Sequence, residues 1–469
     1  MALLIRGGTV VNADRSFRAD VLCDAGVIKA VGEGLDAPVG AEVVDAGGAL
    51  VMPGGIDPHT HMEMPFMGTV SHDDFLSGTA AGLAGGTTMI IDFCLPAPQQ
   101  SLTDALDQWE ENGKKACADY GFHLAVTWWS ERVEQQMAEC VDRGVNSFKH
   151  FMAYKGALMV DDETLFKSFS RCRELGALPM VHAENGDAVF LLQQQLLNQG
   201  ITVPEGHPLS RPPHVEGEAA NRAIMIAQTV GVPLYVVHVS CKEAIDPIAQ
   251  ARTNDWHAWG ETCTQYLFID ETALDQPDFE GAKYVYTPPP RPKENQEHLW
   301  HALATDVLSV VSTDHCPFNW DGQKTLGRDD FSKIPNGGPG IENRLHMLHH
   351  FGVRQGRISM SRFVELVSTN PAKFFGMYPR KGTIAVGSDA DIVVFDPEKR
   401  VTISAETHHS NIDYNLFEGT EVSGAPEVVL VRGQVIVEGD RLVGKPGAGK
   451  FVKRARFGEE LPGGPGRTG

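Results

Sequence analysis

Apolar residues fall into two regimes along the chain. Up to about residue 50 the runs are short: Leu3-Leu4-Ile5, Thr9-Val10-Val11, Asp20-Val21-Leu22 and Val27-Ile28, separated by Gly, Asn and Asp. Such runs, broken by turn residues, predict β structure without helix. From about Val51 to Met377, apolar strand-length runs alternate with helix-length amphipathic stretches, the signature of parallel βα units. The predicted strands cover residues 50–56, 88–93, 122–127, 145–148, 178–181, 234–237, 257–261 and 307–312. The count predicts an α/β protein built on a (β/α)8 TIM-like barrel, with its site at the C-terminal ends of the strands. A doubly wound open sheet is the competing architecture.

Near the other end, Val431-Arg-Gly-Gln-Val-Ile-Val-Glu-Gly-Asp440 echoes Ile5-Arg-Gly-Gly-Thr-Val-Val-Asn-Ala-Asp14, a strand, Gly turn and strand in each. The two chain ends are therefore expected to build one small β-sandwich domain, with Asp389-Ala-Asp-Ile-Val-Val-Phe-Asp396 as a further strand. The expected division is 1–50 and 378–455 for that domain, 51–377 for the barrel and 456–469 for a tail. Gly463 to Gly469 and the basic stretch Lys450 to Arg456 are expected to be mobile or draped on a neighbouring subunit.

Polar residues interrupt the apolar runs where the barrel strands end. His59 and His61 close the first, Lys149 and His150 the fourth, His182 the fifth, His238 the sixth, and Asp314 with His315 the eighth. At i and i+2 on a strand, His59 and His61 face the same way. A lone histidine at a strand end is ordinary, but four histidines, an aspartate and a lysine converging on one barrel mouth fit a pair of divalent cations. An ammonium cannot ligate a cation. The neutral amine of Lys149 can react with CO2, giving a carbamate with two oxygens able to bridge two metals. Asp57 shares the face of His59 and His61, and is read either as a hydrogen-bond partner of one imidazole or as a turn cap.

Charge and composition narrow the partners. The chain has 469 residues with 40 basic against 61 acidic side chains, and its net charge of −21 repels nucleic acid and anionic membranes. Met-Ala-Leu-Leu-Ile is too short for a signal-peptide core, and no run approaches a membrane span, so a cytoplasmic protein is expected. Eight scattered cysteines suit neither a zinc knuckle nor a disulfide framework, and Cys241 and Cys316, close to the proposed site, are read as packing residues.

Gly54-Gly-Ile-Asp-Pro-His-Thr-His61, Phe148-Lys-His-Phe-Met-Ala-Tyr154, Val181-His-Ala-Glu-Asn185, Val236-Val-His-Val-Ser240, Ser312-Thr-Asp-His315 and Ile334-Pro-Asn-Gly337, in this order, resemble the cyclic-amide hydrolases of the amidohydrolase superfamily, nearest to the dihydropyrimidinase and D-hydantoinase family. The likeness covers nearly the whole chain. It implies a binuclear zinc centre, with Mn2+ or Co2+ as alternatives: His59, His61, Asp314 and carboxylated Lys149 on one ion, and Lys149, His182 and His238 on the other. It implies Asp314 as proton carrier and Tyr154 as oxyanion donor, with Thr287 and Asn336 holding the imide edge of the ring through main-chain groups. Met64, Phe66, Phe151 and Leu158 are implied to surround the group outside the ring. A cyclic amide is the implied substrate, opened to an N-carbamoyl amino acid, and a homotetramer the implied assembly. Dihydroorotase is disfavoured because Glu63 stands where that family usually has arginine, and would repel an anionic substrate. Allantoinase remains an alternative. A collapsin-response-like scaffold would need broken ligand positions, and none is broken.

Overall fold

The structure is a computed structural model and describes residues 2–439 and 441–458. Five strands come first: β1 (Leu3–Val11), β2 (Ser16–Asp24), β3 (Val27–Gly32), β4 (Glu42–Asp45) and β5 (Leu50–Pro53). The barrel begins with β6 (Gly55–Thr60), followed by a small hairpin of β7 (Pro65–Phe66) and β8 (Thr69–Val70). Its remaining strands are β9 (Thr87–Cys94), β10 (Asp119–Ala125), β11 (Ser147–Phe151), β12 (Leu178–His182), β13 (Leu234–Val236), β14 (Ala258–Cys263) and β15 (Val310–Ser312). The chain ends on β16 (Ile392–Thr402), β17 (Glu421–Val431), β18 (Gln434–Glu438) and β19 (Arg441–Leu442).

Strands β6 and β9 to β15 form one eight-stranded sheet paired in chain order. A parallel bridge between Thr60 and His315 brings its two edges together, so the predicted barrel is nearly closed and the open-sheet alternative is excluded. Strands β6, β9, β10, β11 and β12 are buried along their whole length. Strands covered on both faces read as unbroken apolar runs, which is why the sequence located them. Helices Phe75–Ala84, Leu102–Gly113, Glu131–Asp142 and Asp162–Leu175 cover the outside, each started by a side-chain cap from Asp74, Ser101, Ser130 or Asp161. Inside, Ile56, Met89, Ile91, Phe93, Met180 and Tyr235 share one core cluster.

Both chain ends do build one sheet, nine-stranded and mixed, in which β5 pairs with β1 on one side and β16 on the other. The first expected strand, 50–56, is two: β5 belongs to this sheet, and the chain crosses into the barrel at Gly54. A Cβ there would lie 2.0 Å from Thr88 Oγ1, so only glycine lets the strand pass. The echo between the chain ends is local. Val431 and Gln434 flank a true hairpin turn, whereas Ile5 to Thr9 is one strand with a bulge. Lys450 to Arg456 is also not a free tail. Phe451 bridges Tyr120, Val452 N donates to Tyr120 O at 2.8 Å, and buried Arg454 donates to Phe122 O and, at 3.0 Å, to Ser147 Oγ. Residues 459–469 lie outside the described residues. Among the described residues, no helix is long and apolar enough to cross a membrane.

Candidate metal centre and substrate pocket

Six of the eight residues singled out at the strand ends line one pocket: His59, His61, Lys149, His182, His238 and Asp314; His150 and His315 turn away, to Ser168 Oγ at 2.7 Å and Asp73 Oδ2 at 3.0 Å. Tyr154, Thr287, Asn336, Met64, Phe66, Phe151 and Leu158 line it too. It encloses about 440 Å³, open mouth included. Two backbone turns aim side chains inward: His238 and Asp314, just past β13 and β15, have φ of 40° and 52°, and Tyr154 has φ 64°. Non-glycine residues rarely adopt such values, and the strain is held by the surrounding barrel.

The imidazoles fall into two groups. His59 Nε2 and His61 Nε2 lie 3.1 and 3.0 Å from the same oxygen, Asp314 Oδ1. His59 Nδ1 is bonded to Glu261 Oε1, whose other oxygen accepts from Tyr235 at 2.9 Å. That bond holds a proton on His59 Nδ1 and orients the ring so that Nε2 faces the Asp314 carboxylate. On the other side, His182 Nε2 donates to Glu184 Oε2 at 2.7 Å, which leaves His182 Nδ1 as a lone pair 2.9 Å from His238 Nε2. Glu184 is held in turn by Arg211.

Electrostatics separate the rings: burial would lower His59, but the Asp314 and Glu261 carboxylates on either side outweigh it and raise it. Burial pushes His61 down to about 4 and His238 well below the usual histidine range, keeping both neutral. Burial would raise the Asp314 carboxyl, but His59 and His61 outweigh it and hold it well below the usual carboxylate range. Burial also pulls Lys149 down to about 8, and its Nζ lies 4.5 Å from the Phe93 ring centre and 5.2 Å from that of Phe151. His59, His61 and Asp314 present ligand atoms close enough to share one ion, so the donor set fits a metal.

The pocket's far wall is polar at one point and apolar around it. Burial raises the Tyr154 hydroxyl to about 12, so it stays a donor, with Thr287 and Asn336 beside it. Asn336 Oδ1 is buried without a partner. Met64, Phe66 and Leu95 pack with Cys316 and Phe318.

Several readings change. Asp57 holds no imidazole; it accepts from the His59 backbone N–H at 3.1 Å and from Thr313 Oγ1 at 2.5 Å. Glu261 and Glu184 hold the rings instead. Glu184 sits two residues after His182, the spacing that should have placed it on the same face. Glu63 does not reach the pocket and pairs with Lys115 at 2.7 Å, so it cannot repel a bound anion. Disfavour for an anionic substrate rests on the lining itself, in which Lys149 is the one Lys or Arg side chain among the described residues. Cys316 packs as expected but also lines the pocket, as does Leu95, which the sequence gave no reason to choose.

Residues 50–436 match the Amidohydrolase family. The chain is 51% identical over 460 residues to a D-hydantoinase of Geobacillus stearothermophilus, covering 98% of each. It is 48% identical over 465 residues to the dihydropyrimidinase of Rattus norvegicus, covering 97% of this chain and 89% of that one. The crystal structure of dihydropyrimidinase from Brevibacillus agri NCHU1002 superposes with a TM-score of 0.96 at 54% identity, over 97% and 99% of the two chains. By its sequence, its barrel and the match across both, this chain belongs to the amidohydrolase family.

Proposed function

We propose that the protein hydrolyses cyclic amides and ureides, 5,6-dihydropyrimidines such as dihydrouracil and 5-substituted hydantoins, to N-carbamoyl amino acids. The carrying observation is the convergence of His59 and His61 on Asp314 beside the His182–His238 pair, in one pocket with a buried lysine. His59, His61 and Asp314 would hold one divalent cation and His182 and His238 a second. Lys149 would complete both sets after its amine nitrogen bonds to the carbon of CO2 and loses a proton to solvent. When bound, such a pair, zinc or alternatively Mn2+ or Co2+, lowers the pKa of water and polarises a carbonyl oxygen.

The chain's own groups carry the rest. Asp314 Oδ takes the proton of the attacking water and delivers it to the departing ring nitrogen, as general base and then general acid. Tyr154 donates its hydroxyl hydrogen to the oxygen on which charge develops, and its high pKa keeps that hydrogen in place. Thr287 and Asn336 hold the imide edge through main-chain groups. Met64, Phe66, Phe151 and Leu158 exclude water and receive an apolar substituent. The same reading makes the protein a cytoplasmic homotetramer, which sedimentation checks.

The test is to incubate zinc-loaded protein with dihydrouracil, hydantoin, allantoin and dihydroorotate and follow the ring-opened ureido acid. Turnover of the first two is expected. Turnover of allantoin or dihydroorotate alone would overturn the assignment.

A further inference from the structure

Lys324 is fully buried, at 0% exposure, on a short turn in the long segment after β15, and it lies outside the metal centre. Its Nζ donates to three main-chain oxygens: Val285 O at 2.7 Å, Pro335 O at 2.7 Å and Gly337 O at 2.6 Å. An ammonium has three N–H donors, and here each has one carbonyl. Those carbonyls are not scattered. Pro335 and Gly337 flank Asn336, and Val285 lies two residues before Thr287, so a single cation ties together the two segments that carry the polar wall of the pocket.

The peptide group transmits this constraint. Because it is planar and trans, fixing Pro335 O on Lys324 turns the N–H of Asn336 to the opposite side. The segments are also joined directly, Gly337 N donating to Val285 O at 3.0 Å. Gly337 has φ 152°, and a Cβ there would lie 2.1 Å from Cys316 O, so the turn can be made only by glycine. Ordinary loops bond to themselves or to water. Burial pulls the Lys324 amine down to about 7, and the three carbonyl bonds offset that cost while fixing two loops in register.

We propose that Lys324 is a positioning residue for the substrate: it sets the polar wall carrying Thr287 and Asn336 and thereby the affinity for the edge of the cyclic amide. The assignment rests on the proposed hydrolase activity and deepens it. Lys324 touches no reacting atom, so its loss should act on binding more than on the chemical step.

The experiment compares wild type with Lys324→Met and Lys324→Gln, all metal-loaded, using dihydrouracil and hydantoin. For Lys324→Met, KM is expected to rise at least about tenfold while kcat stays within about threefold, with bound metal per chain unchanged. Lys324→Gln, whose amide can serve two of the three carbonyls, should recover part of the lost affinity. A cooperatively folded Lys324→Met with unchanged KM, or with kcat lowered at constant KM, overturns the assignment while leaving the hydrolase reading intact. Failure of both variants to fold would make Lys324 a prop of the whole fold and overturn it too. Wild-type protein that opens no ring refutes the hydrolase reading, and this assignment with it.

Discussion

At the mouth of the barrel His61 and His238 each bury a ring nitrogen without a hydrogen-bond partner, and four imidazoles crowd a lysine and an aspartate. At the opposite end buried charge is matched by charge. Lys381 Nζ lies 2.9 Å from Asp119 and 3.1 Å from Asp389 and also pairs with Asp391, while Arg432 pairs with Asp119. Arg454 and Arg344 engage their terminal nitrogens on Phe122 O and Ser147 Oγ, and on Ile56 O, Val311 O and Thr87 Oγ1. Arg344 Nε and Arg454 Nε are buried without a partner, so the contrast lies in charge: at the floor Lys381 and Arg432 are matched by carboxylates that weld it to the small sheet, while at the mouth ring nitrogens are left where something is to be bound.

The largest effect that would break this contrast is expected at the mouth. Asp314→Asn removes the proton carrier and a ligand atom together, and turnover of hydantoin should fall by about 10⁴-fold or more, the upper end for a general acid–base group. Near-normal turnover with metal bound would end the proposed role.

Next in size is the floor, where the loss should be stability and not chemistry. Lys381→Met leaves Asp389 and Asp391 buried or half-buried without their lysine, and breaking such a network typically costs roughly 3–5 kcal/mol. Denaturant unfolding should show it, while kcat per folded molecule stays unchanged. A drop in kcat without a drop in stability would erase the distinction between the two ends.

How much of this was legible in the sequence follows the same division. The mouth stood out because strands buried on both faces read as apolar runs, and a histidine closing one is conspicuous. The floor did not, since Lys381 meets Asp119, and Arg454 meets Phe122 and Ser147, across hundreds of residues, and each charge alone reads as a surface charge. The split of 50–56 at Gly54 was hidden for a related reason: β5 and β6 are one apolar run, and only the neighbours of Thr88 show why the chain changes sheets. Glu63 misled because its position beside the metal-ligand motif was taken for its direction, and its positive φ of 52° turns it toward Lys115.

A smaller effect sharpens the mouth itself. Tyr154→Phe keeps the ring, which packs edge-on at 5.4 Å against Phe66 and beneath Arg211, and removes only the hydroxyl. kcat should fall by about 10²–10³-fold, as for the loss of one oxyanion donor, with KM changed far less. An unchanged kcat would show that the hydroxyl does not meet developing charge.

The smallest expected effect tests whether the mouth's disorder of charge is itself supported from beneath. Glu261 is the one acidic residue inside β14, buried at 0% exposure, and it joins His59 Nδ1 to the Tyr235 hydroxyl. It touches no pocket space, so its task is to fix which His59 nitrogen carries the proton. In Glu261→Gln the amide oxygen can still accept from one partner, but the negative charge that makes His59 a better donor is gone. Apparent zinc affinity, measured by competition with a chromophoric chelator, should weaken by about 10–100-fold, the usual cost of losing such a partner. At saturating zinc, kcat should stay within a few-fold of wild type, because the ring is still present. Unchanged zinc affinity would mean that barrel packing alone orients His59, and that the buried carboxylate belongs with the satisfied charges of the floor.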